Sequence, residues 1–203
     1  MAKRIEGFDE AILCCAKKEF LEKGYEEASL RVIAKNASVS TSTIYTRFKD
    51  KAGLFKALVE PAAQKLLQYT KIYLGYFEDL DAGTQVEERG DYSDRGFSGF
   101  IDIMYEYFDE FKLITTASTN GLYRYYLNQL VELNMKCTIN FLKISENPAY
   151  KEGRLTDEFI RVVSFAFYSG IFEIAVQDMK REAADQYAHE LKSFYDNGWT
   201  LYL

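Results

Sequence analysis

A run of hydroxyl side chains near the start of the chain has residue types and spacing suited to nucleic acid. Residues 40–47 read Ser-Thr-Ser-Thr-Ile-Tyr-Thr-Arg, and no Asp or Glu occurs in residues 30–49, in a chain whose net charge is −6. Short donors and acceptors can reach base edges and phosphates in a DNA groove, whereas phosphates repel carboxylates. These residues are therefore a candidate DNA-contacting surface.

Two short helices joined by a turn would hold these side chains in place. The apolar residues around them recur at helical intervals in two sets with different phases. The first set comprises Leu30, Ile33, Ala34 and Ala37, and the second comprises Val39, Ile44 and Phe48. Packing of one set on the other predicts a helix-turn-helix over about residues 29–48, with the hydroxyl groups on its outer face.

The charges divide unevenly along the chain. Residues 1–56 hold 11 Lys and Arg against 8 Asp and Glu, whereas residues 57–203 hold 14 against 23. A basic first part and an acidic remainder favour approach to DNA by the first part alone.

The sequence contains little that would support catalysis. It has one histidine, and its three cysteines, Cys14, Cys15 and Cys137, form no CxxC pair. Glycine-rich phosphate loops and metal-ligand spacings are also missing from the sequence, so we expect no enzyme activity, no cofactor and no metal site.

A group of motifs at the start of the chain resembles the DNA-binding domain of the TetR (tetracycline-repressor) family of bacterial transcriptional regulators. The resemblance covers about residues 5–59. It is carried by Ala16, Phe20, Glu22-Lys23-Gly24-Tyr25, Ile33-Ala34, Val39-Ser40, Ile44-Tyr45, Phe48-Lys49-Asp50-Lys51 and Leu54. The chain departs from the family at Ser38, since the family usually has glycine in this turn.

The resemblance implies which residues contact DNA. They are Ser29, Ser40, Thr41, Ser42, Thr43, Tyr45, Arg47, Lys49 and Lys51. By resemblance, the start of the second helix lies near phosphate, Thr41 to Thr43 face bases or nearby phosphates, and Tyr45 contacts the backbone. Arg47 is placed to reach either phosphate or guanine, and Lys49 and Lys51 suit phosphate.

The remaining periodicities predict an all-α protein. We expect a three-helix DNA-binding domain in residues 1–50, joined by a long helix to a helical regulatory and dimerisation domain in residues 51–203. Pro61 either kinks the long helix or marks the point where it restarts. Residues 78–99 combine seven acids with scattered glycines, which predicts a loop.

Aromatic residues in the second domain suggest a small-molecule cavity. The resemblance favours a site formed by Met104, Phe108, Phe111, Tyr123, Tyr126, Leu127, Phe165 and Tyr168, although core packing is the simpler role for any one of them.

Residues 159–176 are apolar nearly all round, so a second subunit is expected to cover one face. The expected homodimer interface contains Phe159, Val163, Ala166, Gly170, Ile174, Leu191 and Phe194. Arg161 and Glu173 interrupt this segment, which favours a core helix over a membrane span.

The functional hypothesis is a cytoplasmic, homodimeric repressor that binds a palindromic operator and is released by a small apolar or aromatic effector. Two alternatives stay open, namely a regulator that answers to a protein partner and an activator. We expect no association with a membrane.

Overall fold

The structure, a computed structural model, describes residues 2–117 and 121–202, with side chains from residue 9 onward. These residues form ten helices and no strand, as predicted. The helices are α1 (Ala2–Glu27), α2 (Leu30–Asn36), α3 (Thr41–Phe48), α4 (Lys51–Glu78), α5 (Ala82–Glu106), α6 (Phe108–Thr116), α7 (Leu122–Ile144), α8 (Pro148–Lys151), α9 (Asp157–Val176) and α10 (Arg181–Trp199).

The chain packs as two compact units. Unit 1 comprises residues 1–64 and 107–123, and unit 2 comprises residues 65–106 and 124–203. Unit 1 therefore combines α1 to α3 and the first half of α4 with α6, which lies much later in the chain.

The core of unit 1 forms where the apolar faces of its first four helices meet. Ile12, Ile33 and Ile44, from α1, α2 and α3, are each fully buried. Phe20 and Phe55 pack edge to face with their ring centroids 5.1 Å apart. This core holds the outer faces of α2 and α3 in a defined orientation.

Helix α6 is attached to α1 by charge as well as by packing. Lys17 Nζ of α1 lies 3.0 Å from an Asp109 carboxylate oxygen and 2.9 Å from one of Glu110. Both acids lie in the first turn of α6, where a negative charge also interacts favourably with the helix dipole.

The prediction of a loop over residues 78–99 is wrong, because α5 begins at Ala82 and continues to Glu106. Its glycines make room for the rings of α4. A Cβ atom on Gly96 would lie 2.2 Å from Tyr73 Cε1, and one on Gly99 would lie 2.0 Å from the Tyr69 hydroxyl. Close packing of the two helices has therefore outweighed the low helix propensity of glycine.

Helix α4 continues through Pro61 to Glu78, so the proline does not end the helix. Pro61 is exposed, which keeps its ring away from the core.

In the part of the chain that the structure describes, α9 is the one helix long and apolar enough to span a membrane, with a mean hydropathy of 1.6. Ile160, Ile171 and Ile174 of this helix are nevertheless fully buried within the protein.

Candidate functional site

Helices α2 and α3 form the predicted helix-turn-helix. The Ser38 and Val39 N–H groups donate to the Lys35 and Ala34 carbonyls at 3.1 and 3.0 Å, which closes a Schellman-type end to α2. Ser38 has a φ of 54°, the left-handed conformation that explains why glycine is common at such a position. The turn thus has the shape expected with glycine, at a conformational cost of about 1 kcal/mol.

A carboxylate from α1 caps the start of α2. Ser29 makes no side-chain cap, and its backbone N–H donates to Glu19 Oε1 at 3.0 Å. The Ser29 hydroxyl therefore does not cap the helix. Sequence reasoning missed Glu19, which is 7% exposed, because its partner lies ten residues away on another helix.

Hydroxyl groups line the start of α3. The Ser40 hydroxyl oxygen accepts from the Thr43 N–H at 3.1 Å and lies 2.6 Å from the Ser42 hydroxyl oxygen. Ser42, Tyr45 and Thr46 are exposed, while Thr41 and Thr43 are half-buried. The outer face of α3 therefore presents short polar groups and one phenol, as a DNA-reading helix requires.

Arg47 lies on α3, and its side chain is paired with a carboxylate of the same chain. Its Nη1 donates to both carboxylate oxygens of Asp9 on α1, at 2.7 and 2.6 Å. The pair is partly shielded from solvent, with side-chain exposures of 25% for Arg47 and 37% for Asp9. In the free protein this guanidinium therefore helps to hold α3 on α1.

The two predicted phosphate-binding lysines lie at the junction of α3 and α4. Lys49 is exposed and has a φ of 70°, and the Asp50 N–H donates across it to the Phe48 carbonyl at 2.9 Å. Lys51 Nζ donates to the Glu26 carbonyl at 2.7 Å and lies 5.2 Å from the centre of the Tyr25 ring. Lys49 is thus the more available of the two cations.

Asp50 caps α4 by accepting from the Gly53 N–H at 2.7 Å. Gly53 is itself required here, since a Cβ on it would lie 1.9 Å from the Phe48 carbonyl oxygen.

Unit 2 contains a cavity of about 410 Å³ among α4, α5, α7, α9 and α10. Aromatic side chains dominate its lining, and they are Tyr69, Tyr73, Phe77, Tyr92, Phe97, Phe100, Phe141, Phe167, Tyr168, Tyr195 and Trp199. Burial raises the pKa of Tyr168, and it raises the pKa of Tyr92 to about 12, so these phenols stay neutral near pH 7. The volume suits a small organic molecule.

Only one of the predicted pocket residues, Tyr168, lines this cavity. Met104, Tyr126 and Leu127 are buried elsewhere, and Phe165 lies beneath the Arg124 guanidinium, 5.4 Å away. Phe108, Phe111 and Tyr123 belong to unit 1.

The lining from α4 and α5 was missed because residues 78–99 were interpreted as a loop. One signal could have revealed it. Gly96 and Gly99 are three residues apart on α5, and Tyr69 and Tyr73 are four residues apart on α4, so each pair spans about one helical turn on one face.

The residues predicted for the dimer interface fall into two groups. Phe159 and Phe194 are 42% and 74% exposed, and Ala166 is exposed as well. The others are engaged within the protomer. Val163 lines the cavity, Ile174 is fully buried, and Gly170 faces Leu191, whose Cδ2 would lie 2.9 Å from a Cβ at that position.

Among the described residues, no group of three or more His, Cys, Asp or Glu side chains is placed to hold a metal ion.

Comparison with known proteins agrees with this architecture. Residues 12–58 match the family model described as bacterial regulatory proteins of the tetR family. The chain is 21% identical over 178 residues to the HTH-type transcriptional regulator UidR of Escherichia coli strain K12, covering 85% of this chain and 84% of UidR.

Solved structures share the fold. A proposed TetR-family transcriptional regulator from Mesorhizobium loti is 16% identical, with a TM-score of 0.59 and 97% of each chain covered. A member of the TetR transcriptional regulator family from Streptomyces coelicolor is 21% identical, with a TM-score of 0.53, covering 89% of this chain and 88% of that one. Residues 12–58 thus carry a DNA-binding domain of the tetR family, and along most of its length the chain is similar in sequence to a transcriptional regulator and in fold to regulators of this family.

Proposed function

We propose that the protein is a homodimeric repressor that binds a palindromic operator and is released when a small molecule occupies the unit 2 cavity. The observation that carries this proposal is the outer face of α3, where exposed hydroxyl groups stand on a helix held rigidly by the unit 1 core. Such a regulator would act in the cytoplasm, where the DNA is.

Ser40, Thr41, Ser42, Thr43 and Tyr45 form the proposed reading surface. In a twofold dimer, two copies of α3 would enter successive major grooves about 34–36 Å apart. Lys49 would contact phosphate beside them, and Lys51 and the start of α2 at Ser29 would lie near the backbone. Arg47 would contribute indirectly, by fixing α3 through Asp9.

An exposed apolar surface on α9 and α10 supports the homodimer. Phe159, Val162 and Phe194 are 42%, 66% and 74% exposed, and Ala166 lies one turn beyond Val162. Large apolar side chains on adjacent helices are favourable only when something covers them. A second copy would bury them in an isologous interface.

The cavity supports control by a ligand. A ligand that binds one dimer shape better than the other shifts the population toward that shape, and only this difference in affinity can release DNA.

Binding of the purified full chain to the DNA upstream of its own gene tests the proposal. A fluorescently labelled duplex should bind more tightly than a scrambled duplex of the same length, at about 150 mM salt. Tyr45→Ala should weaken specific binding by about tenfold, since it removes one polar contact and its packing on the backbone.

Tyr76→Ala serves as the matched control, because Tyr76 is 65% exposed but lies on α4 in unit 2. Equal binding to the native and scrambled duplexes would contradict the proposal. Increased transcription from the adjacent promoter in the presence of the protein would indicate an activator instead.

A further inference from the structure

Arg89 stands out among the charged residues of the unit 2 cavity. It lies on α5, lines the cavity and is half-buried, with its guanidinium 5.7 Å from the centre of the Phe141 ring. Within residues 2–117 and 121–202, no hydrogen bond or ion pair to it is found, although a guanidinium has five N–H donors.

The other polar groups in the lining are largely occupied. The Tyr73 and Tyr92 hydroxyls donate to each other's backbone carbonyls at 2.7 and 2.6 Å, and Tyr69 donates to the Gly96 carbonyl at 3.1 Å. The Ser164 hydroxyl donates to Asn134 Oδ1 at 3.0 Å. An incoming ligand would therefore find its strongest open partner at Arg89.

The second cation of the lining is already neutralised. Lys192 Nζ is 2.6 Å from an Asp94 carboxylate oxygen and 2.5 Å from one of Asp196. Asp196 also attracts Arg89 at longer range, yet burial outweighs this attraction and lowers the pKa of Arg89 from its ordinary value. A half-buried guanidinium with open donors gains most from an anionic oxygen placed against it.

We propose that the effector is an organic anion with an aromatic or apolar body, whose anionic oxygens bind Arg89 while the body packs among the cavity rings. The inference rests on the proposed function and names the chemical class of its ligand. Aromatic lining supplies apolar contact area, and the single open cation supplies discrimination by charge.

Two fluorescent probes that differ by one sulfonate group test the inference. The anion 1-anilinonaphthalene-8-sulfonate and the uncharged N-phenyl-1-naphthylamine share the same ring system. Each is titrated into the full-length protein. Quenching of Trp199, the only tryptophan in the chain and part of the cavity lining, reports binding there.

Arg89→Gln should weaken binding of the sulfonate probe by about tenfold or more, because a charge-assisted hydrogen bond is lost, and change the neutral probe by less than about twofold. Arg89→Lys should retain most of the preference for the anion. Arg124→Gln is the matched control, since Arg124 also lies over a phenylalanine ring but does not line the cavity.

Equal effects of Arg89→Gln on both probes, or no effect on either, would overturn the inference. Displacement of the sulfonate probe by 1-naphthoate or by 1-naphthyl phosphate would distinguish a carboxylate from a phosphate ligand, and displacement by neither would also overturn it. The same preparations are titrated with the upstream duplex. If the protein binds the duplex specifically but shows no charge selectivity for the probes, only the ligand class is refuted. If it shows no specific DNA binding, the proposed function is refuted.

Discussion

At the scale of single residues, the Arg47–Asp9 pair changes what α3 is expected to offer to DNA. The sequence predicts that Arg47 lies beside the reading face. In the structure, its Nη1 donates to both carboxylate oxygens of Asp9 on α1. To reach a base, Arg47 would have to leave a two-oxygen contact that is partly shielded from water. Its main contribution is therefore to the position of α3.

Replacement of Arg47 by alanine should lower the stability of the protein by about 1 kcal/mol, the discounted value of a partly exposed, hydrogen-bonded ion pair. Asp9→Ala should have a similar effect, and the double variant should be little worse than either single one. Thermal unfolding of the four proteins measures this coupling. Unchanged stability in Arg47→Ala, with a selective loss of specific DNA binding, would show that Arg47 exchanges Asp9 for a base.

At the scale of elements, the junction of α3 and α4 depends on a glycine. Gly53 lets the first turn of α4 approach the Phe48 carbonyl, and its N–H receives the Asp50 cap. Lys49 stands in the same junction at a φ of 70°, a conformation that is costly for a residue with a side chain. Close approach and an unusual backbone conformation together set the direction in which α4 leaves the helix-turn-helix.

Gly53→Ala should destabilise the protein by about 1–3 kcal/mol, because the added methyl group must displace backbone. Gly75→Ala, in the last turn of the same helix, should be neutral or stabilising by up to about 1 kcal/mol, since nothing lies within 4 Å of a Cβ there. Urea unfolding of both variants makes the comparison. Equal stability of the two would contradict the role assigned to Gly53.

Helix α5 shows how an element was mispredicted. Acids and glycines in residues 78–99 give a weak helical pattern, which local reasoning interprets as a loop. In the structure, Gly96 and Gly99 receive the Tyr73 and Tyr69 rings of α4. These glycines are thus required by the packing of α4 on α5, and the segment alone does not reveal that requirement.

At the scale of the whole molecule, the distribution of charge and apolar surface supports the proposal that the two ends of the chain have different partners. The basic first part carries the proposed DNA-reading helix, whereas the acidic remainder presents exposed phenylalanine and valine on α9 and α10. Operator recognition by a symmetric protein depends on both, because each half-site alone supplies only part of the binding energy.

Phe194→Glu should shift the protein from dimer to monomer, since it places a charge in the proposed apolar interface. Loss of the dimer should weaken operator binding by about 100-fold or more. Light scattering after size-exclusion chromatography gives the molar mass. Tyr76→Glu, an exposed aromatic outside the interface, should leave the mass unchanged, and a wild-type mass near 23.5 kDa would refute the dimer.

The sequence by itself determined the helix-turn-helix and the all-α class. Those features depend on local periodicity, capping residues such as Asp50 and Thr156, and the position of charges along the chain. Tertiary structure alone decided the Arg47–Asp9 pair, the capping of α2 by Glu19, the helical state of α5 and the lining of the cavity. Each of these depends on atoms from distant parts of the chain meeting in space, which no local pattern encodes.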